Sequence, residues 1–478
     1  MLIGRKEEVQ TLKRLYHSDK SEFVCIYGRR RVGKTYLVSE TFSSLFDFVH
    51  TGLPPLKKDE KGNGLRRQLD AFEFSLLKVN YPLKNKLKSW MEAFYHLGKY
   101  LDSLDKERIL LFIDELPWMD TKRSNFLDAF IYFWNSYCSF HKNIMLIICG
   151  SASSWILDNV IRDVGGLYDR VTYKMKLSPF NLKEVEELLH YQGINFSRYE
   201  TTEAYMAFGG IPYYYGYFNP ALSLSQNIDR ILFNKNALLK KEFNELFSSQ
   251  FAKYQDYIKI VECLSKRGIG YTPKEIAKEC HLIDNGEFYR MLDALEESDF
   301  IMRYTPFGES RKIINCKLTD PYCYFYLNVV KDNENKDGYY SSLYLSPYLN
   351  TMRELFFELI CYHHLRQIVQ KLSISGLIDV EATYYFKKGN DNQRGTQVDL
   401  ILNRSDRVIN VCEMKFYQDD FQNNDTVHMN IVRRNEILNN LISRRAHLVN
   451  VLITTYGLKE GKYSSDFGYV ITLEDLFK

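Results

Sequence analysis

Short unbroken apolar runs, rather than long periodic ones, dominate the first third of the chain. Phe23-Val24-Cys25-Ile26-Tyr27, Ile109 to Ile113 and Asn143 to Cys149 are each strand-length. A strand buried on both faces reads this way, so these runs predict the centre of a parallel sheet. Val171 to Leu177 predicts a further strand, and Thr35-Tyr36-Leu37-Val38 opens a helix soon after the first run. The pattern then changes. Tyr254, Ile258, Val261 and Leu264 recur at helical spacing. Thr272 followed by Pro273 reads as a cap and first helical residue. A third helix starts at Asn285-Gly286, with Phe288, Met291 and Leu292 on one face. Phe300 to Thr305 and Lys312 to Leu318 flank Pro306 to Ser310 as a strand pair. Three helices and a hairpin predict a winged helix-turn-helix. Farther on, Met352 to Ile360 predicts an apolar helix. Gln397 to Leu402 and Val408 to Phe416 alternate around the polar turn Arg404 to Arg407. Val432 to Ser443 then reads as a helix and Ala446 to Thr455 as a strand.

These shifts predict a multidomain α/β chain. Its parts are an α/β domain over 1–178, a helical lid over 179–248 and a winged helix over 249–330. A polar linker over 331–345, containing Lys331 to Gly338, precedes a second α/β domain over 346–478. A length of 478 residues suits about three domains. The net charge of +3 excludes a global polycation, so any nucleic-acid surface must be local. Nine scattered cysteines without a C-x-x-C pair argue against zinc and for a reducing compartment. Met1 to Glu8 lacks the apolar core of a signal peptide, and no apolar run approaches a membrane span. The expectation is a soluble, cytoplasmic protein without a membrane partner.

The chemistry starts at Gly28-Arg29-Arg30-Arg31-Val32-Gly33-Lys34-Thr35, which fits the phosphate-loop pattern G-x-x-x-x-G-K-[ST]. Glycines let backbone N–H groups close around phosphate oxygens, and the following helix aims its positive end at them. Lys34 is expected to reach the β- and γ-phosphates of ATP, and Thr35 to offer its hydroxyl to Mg²⁺. Hydrolysis also needs a carboxylate for the metal and a group to activate water. Asp114 and Glu115, at the end of the Ile109 run, are the candidates for those two roles. Ser151, after the third run, is a candidate contact for the γ-phosphate or the attacking water. Arg170, after Gly165-Gly166, is a candidate to stabilise transition-state charge, acting in its own subunit or on a neighbour in a homo-oligomer; a plain surface arginine fits equally well.

A second constellation lies some 360 residues downstream. If the turn after Leu402 is centred on Asp406, Asp399 falls opposite Glu413 and Gln397 opposite Lys415. Two carboxylates facing across a hairpin repel, so a cation should lie between them, and oxygen ligands favour Mg²⁺ or Mn²⁺. The D-x(n)-E-x-K order resembles the PD-(D/E)XK nuclease fold. In that family an acid from a preceding helix joins the site, which points to Glu358, with Glu354 second. In the winged segment the third helix carries Glu287, Arg290, Asp293, Glu296 and Glu297, acidic for a phosphate-facing surface. Arg303, Arg311 and Lys312 are its better basic candidates.

Leu2-Ile3-Gly4-Arg5 with Glu8 resembles the opening box of AAA+/STAND-type ATPases, which lies near the adenine. Together with the phosphate loop, Ile113-Asp114-Glu115 and Gly150-Ser151, it resembles the archaeal-type ATPase family. The three loop arginines and the lid element Gly209-Gly210-Ile211-Pro212 match that family; Asp169, where Gly commonly precedes the arginine, departs from it. Cys412-Glu413-Met414-Lys415-Phe416 resembles the C-terminal domain that accompanies such ATPases. The resemblance implies an ATP-binding, Mg²⁺-dependent ATPase coupled to a nuclease-like domain acting on DNA. The alternative is an ATP-dependent switch, or a DNA- or protein-binding regulator, without nuclease activity.

Overall fold

The computed structural model describes residues 2–54, 63–151, 154–162, 166–251, 253–310, 312–385 and 396–478. Two compact units divide the chain, Met1–Ser178 and Pro179–Lys478.

The first unit is built on a parallel sheet of β1 (Glu22–Gly28), β2 (Phe48–Thr51), β3 (Ile109–Asp114), β4 (Ile144–Ser151) and β5 (Tyr173–Lys176). The order is β2-β3-β4-β1-β5. Every residue of β1 and β3 is buried, which is why their sequences show no polar alternation. The edge strand β2 does alternate, buried then exposed. One face of the sheet, carrying Phe23, Cys25, Leu111, Ile113, Leu146 and Ile148, joins a core with Phe72, Trp90, Phe94, Phe126 and Phe130. Those rings come from the helices Gly64–Lys78, Trp90–Asp102 and Phe126–Ser136. Phe72 meets Trp90 edge-on at 5.7 Å, and Phe94 stacks on Phe133 at 5.1 Å. Removing one such ring would cost about 3–5 kcal/mol. This core holds the C-terminal ends of β1, β3 and β4 side by side, where ligands bind in open α/β sheets.

The second unit opens with helices Leu182–Tyr191 and Arg198–Phe208, each begun by a capping box, Asn181 with Glu184 and Ser197 with Glu200. The Gly209-Gly210 element is a close backbone approach. Gly210 O accepts the Phe180 N–H at 2.7 Å, and a Cβ on Gly210 would lie 1.8 Å from Phe180 O. Helices Tyr254–Ser265, Pro273–Glu279 and Gly286–Glu297 follow, then the antiparallel pair β6 (Ile301–Tyr304) and β7 (Asn315–Leu318). The predicted cap at Thr272 is a complete capping box with Glu275. The stretch read as a linker is ordered at its end. Tyr339–Leu343 is a helical turn, Tyr340 is buried, and Asp229 accepts the Tyr340 and Ser341 N–H groups. Its polar composition hid a docking contact made by Tyr339 and Tyr340 on Phe233 and by Ser341 on Asp229.

The rest of the second unit is a mixed sheet of β8 (Ile378–Tyr385), β9 (Gln397–Arg404), β10 (Val408–Lys415), β11 (His447–Thr454) and β12 (Tyr469–Ile471). They run in the order β12-β11-β10-β9-β8. β8, β9 and β10 are antiparallel neighbours, and β10, β11 and β12 are parallel. Helix Pro347–His363 precedes the sheet. Helix Asp425–Asn439 joins β10 to β11, the kind of crossover that parallel strands need. It starts well before the predicted Val432, because Asn424 accepts the Val427 N–H as a cap. Among the described residues no helix is long and apolar enough to cross a membrane.

Candidate functional site

In the first unit the loop after β1 turns through left-handed residues, Gly28 (φ 146°), Arg31 (φ 70°) and Gly33 (φ 93°). A side chain at Gly28 would collide with Leu177 O, 2.4 Å from its Cβ, so only glycine fits the approach of β1 to the end of β5. Arg29 and Val32 are buried within the loop, and Arg30 is half-buried. Lys34 begins the helix Lys34–Phe42 and is 7% exposed; its Nζ donates to Gly28 O at 3.1 Å and Arg29 O at 3.0 Å. Thr35 Oγ1 donates to Asp114 Oδ2 at 2.8 Å. Adjacent Glu115 takes a left-handed backbone (φ 48°) at the start of the turn Leu116–Met119. Ser151 pairs in register with Gly28 across β4 and β1, so it stands beside the loop.

Lys34, Asp114 and Glu115 form a buried ionic cluster. Burial lowers the Lys34 pKa, against the pull of Glu115 and Asp114. Burial likewise raises Asp114, opposed by the Thr35 hydrogen bond, and raises Glu115, opposed by Lys34. Arg5, 5% exposed, donates to Ser178 O at 2.6 Å and to Val32 O at 3.5 Å, so the opening box grips the loop. That grip is invisible in the motif itself. Arg170 is held otherwise. Its Nε donates to Asn135 Oδ1 at 3.0 Å and its Nη1 to Gly166 O at 2.7 Å, and no described contact joins it to the loop. Gly165 lies outside the described residues.

In the second unit, β9 and β10 pair through Ile409↔Asn403 and Cys412↔Leu400, the register of a turn centred on Asp406. Continuing it by one pair sets Asp399 against Glu413. Lys415 lies two residues along on the same face, and its Nζ meets Glu413 Oε1 at 3.0 Å. Asp399 Oδ2 accepts the Met414 N–H at 2.9 Å. Glu358, from helix Pro347–His363, lies close enough to interact electrostatically with Lys415 and Glu413. Glu354, the second choice, is half-buried and also influences Lys415.

Two cations escaped sequence reasoning. Arg434, 3% exposed on helix Asp425–Asn439, donates to Glu413 Oε2 at 2.5 Å and to Asn450 Oδ1 at 3.0 Å. Lys317 on β7, 4% exposed, is drawn by Glu358 and Asp399 and sits 4.5 Å from the Tyr362 ring. Arg434 did have a signal: with Ile431 and Leu438 it occupies the buried stripe of its helix, and a buried arginine needs a carboxylate partner. Burial would raise Glu413, but Lys415 and Arg434 outweigh it and hold its carboxyl below the ordinary value. Asp399 is pushed well up by burial, Glu358 and Glu413, and Glu358 is raised by burial against Lys317 and Lys415. Among the described residues no three His, Cys, Asp or Glu side chains gather as a metal site. Glu413 is engaged on both oxygens by side-chain cations, Lys415 and Arg434. On the winged segment Arg303 is also engaged, with Asp293 at 2.5 Å and Glu296 at 2.7 Å; Lys312 is exposed, and Arg311 lies outside the described residues.

A parallel sheet with a glycine-lined loop after β1, a lysine and threonine opening the next helix and an acidic pair ending β3 defines a P-loop nucleoside triphosphatase. Residues 2–218 match the family described as an ATPase domain predominantly from Archaea. Through these residues the chain belongs to that family, and its first unit is an ATP-binding ATPase domain. It is similar to an uncharacterized ATP-binding protein of Methanocaldococcus jannaschii, 45% identical over 40 residues, 8% of this chain and 68% of the other. It is also similar to an uncharacterized protein of the same organism, 26% identical over 423 residues, 87% of this chain and 88% of the other. Among solved structures, a Walker-type ATPase of Pyrococcus abyssi is similar at a TM-score of 0.48 and 16% identity, over 69% of this chain and 96% of the other.

Proposed function

We propose that this chain is a Mg²⁺-dependent ATPase coupled to a C-terminal nuclease-like domain that acts on DNA. In the ATPase site the hydroxyl of Thr35 and the carboxylate of Asp114, 2.8 Å apart, form a hard-oxygen donor set that fits Mg²⁺. Those two residues would hold the ion, which would neutralise charge on the nucleotide's phosphates. Lys34 would bind the β- and γ-phosphates, Glu115 would take the proton of the attacking water, and Ser151 would contact the γ-phosphate. The helices after Pro179 serve as a lid, and the three helices with β6 and β7 as a winged helix.

What supports the nuclease-like reading is the β9–β10 register, which, extended one pair beyond Cys412↔Leu400, brings Asp399 opposite Glu413, with Lys415 paired to Glu413 and Glu358 in electrostatic reach. The test is a DNA-cleavage assay on the full chain, with and without ATP and with Mg²⁺ or Mn²⁺. Cleavage that Asp399→Ala and Lys415→Ala abolish supports the reading. Cleavage untouched by both removes it from this site.

The double engagement of Glu413 by Lys415 and Arg434 favours a second reading. Here the second unit binds DNA or protein without cutting it, and ATP switches its availability. Tight ATP binding with slow turnover, and DNA binding without cleavage in either metal, would support it.

A further inference from the structure

Beside Glu413 and Lys415 the second unit has a polar cavity of about 260 Å³. Its lining includes Arg433, Arg434, Lys415, Asn430 and Gln397, with Glu413 the one acidic residue among the described lining residues. Three cations against one carboxylate leave a net charge of about +2, so the cavity selects an anion. Glu413 is already shared by two cations, Oε1 meeting Lys415 at 3.0 Å and Oε2 meeting Arg434 at 2.5 Å, so its charge is more than offset before a third is counted. Arg433 is that third cation. It is half-buried, and its Nε has no hydrogen-bond partner among the described residues. Asn430 precedes it by one helical turn, and both line the cavity.

The chemistry selects among anions. A guanidinium presents a planar fork of donors that matches a phosphate, and Asn430 and Gln397 add neutral donors at its sides. The volume lies below the range of pockets that enclose whole small-molecule ligands, so it suits a phosphate group with its nearest substituents and not a complete nucleotide.

We propose that this cavity is a phosphate subsite, with Arg433 as its principal ligand, flanked by Asn430, Gln397, Arg434 and Lys415. The shared ligand chemistry is a phosphate anion, from a nucleic-acid backbone or from a free nucleotide. The assignment to DNA rests on the nuclease-like reading of the second unit; the anion site itself does not.

The experiment measures anisotropy of a fluorescein-labelled DNA oligonucleotide without terminal phosphates. It uses the full chain carrying Lys34→Ala, so that the phosphate loop does not contribute, in EDTA. Arg433→Ala is expected to weaken binding about tenfold and to reduce the slope of log K against log salt by about one. Inorganic phosphate should compete. If instead AMP binds in an Arg433-dependent way and the oligonucleotide does not, the subsite stands and serves free nucleotides. Asn430→Ala is a second probe, and a thermal melt confirms that each variant is folded. Unchanged affinity of both probes in folded Arg433→Ala and Asn430→Ala proteins overturns the proposal. Arg433-dependent binding by a wild type that cleaves nothing would sustain the subsite and sink the nuclease reading. Cleavage with a KM indifferent to Arg433→Ala would do the reverse.

Discussion

Replacing Lys34 with alanine tests the ATPase site at its most constrained point. The ammonium is 7% exposed and already donates to Gly28 O and Arg29 O, at 3.1 and 3.0 Å. An ammonium has three donors, so one remains for a phosphate oxygen without breaking the other two. A unit charge pair about 4 Å apart, at an effective dielectric of about 20, is worth about 4 kcal/mol. That corresponds to about a thousandfold in Kd. If both loop bonds had to break first, at about 1 kcal/mol each, the net would fall to about 2 kcal/mol, or about thirtyfold. Calorimetric titration of MgATP into wild type and Lys34→Ala measures the difference, with a thermal melt to show that the variant folds. A loss near a thousandfold supports the free third donor. A loss well under thirtyfold in a folded variant would refute the placement of Lys34 against the phosphates.

Glu115→Gln should keep ATP affinity within a few-fold while lowering kcat about 10²- to 10⁴-fold, the usual contribution of a general base; hydrolysis within tenfold of wild type would remove Glu115 from that role. His364 accepts the Leu182 N–H on Nε2 at 2.9 Å, so its Nδ1 carries the hydrogen toward Ile360 O, and burial lowers its pKa from 6.5 to about 4. Its folded pKa is the lower one, so its stabilisation is complete above pH 6.5 and is lost as pH falls toward 4, by up to about 3 kcal/mol; urea midpoints should drop less on acidification in His364→Gln than in wild type, and equal drops would contradict this. Gly210→Ala would place a Cβ 1.8 Å from Phe180 O and should cost about 3 kcal/mol or more, read as a lower urea midpoint; an unchanged midpoint would mean that the backbone yields freely.

The sequence shows most where one residue's neighbours in the chain are also its neighbours in space. The phosphate loop, the acids after Ile113 and the turn at Asp406 are local features, and a local pattern carries their geometry. The register of β9 and β10 could be read because a hairpin turn determines every pair beyond it. The short edge strand β2 was missed because four residues, two buried and two exposed, are too few to make a distinctive run. The helix before β11 was placed late because its opening turn depends on Asn424, whose capping role appears only once the helix is there. Arg434 and Lys317 reach the carboxylates from a crossover helix and from β7. The stripe of Ile431 and Leu438 marks Arg434 as buried, but no spacing rule says which carboxylate on another element it meets.

That packing shapes what the second unit does. Glu358, Asp399 and Glu413 face Lys317, Lys415 and Arg434, three carboxylates against three cations. Two opposed carboxylates on a hairpin repel, and here the repulsion is offset by Lys415 on the hairpin itself and by Lys317 and Arg434 from two other places in the same unit. Removing one member of such a buried set exposes the rest to an uncompensated charge, at about 3–5 kcal/mol. The set is therefore a structural unit whatever else it does, and loss of activity in Asp399→Ala has meaning only beside a melt. Of this set only Glu413, Lys415 and Arg434 line the cavity, and they leave a net charge of about +1 there. Arg433 lies outside the set and brings that charge to about +2, which would draw a phosphate to this edge of the sheet. If the site cuts, a phosphate drawn by Arg433 must also compete with Glu413 for Lys415 and Arg434. If it only binds, Arg433 can hold the phosphate while Glu413 keeps both of its partners.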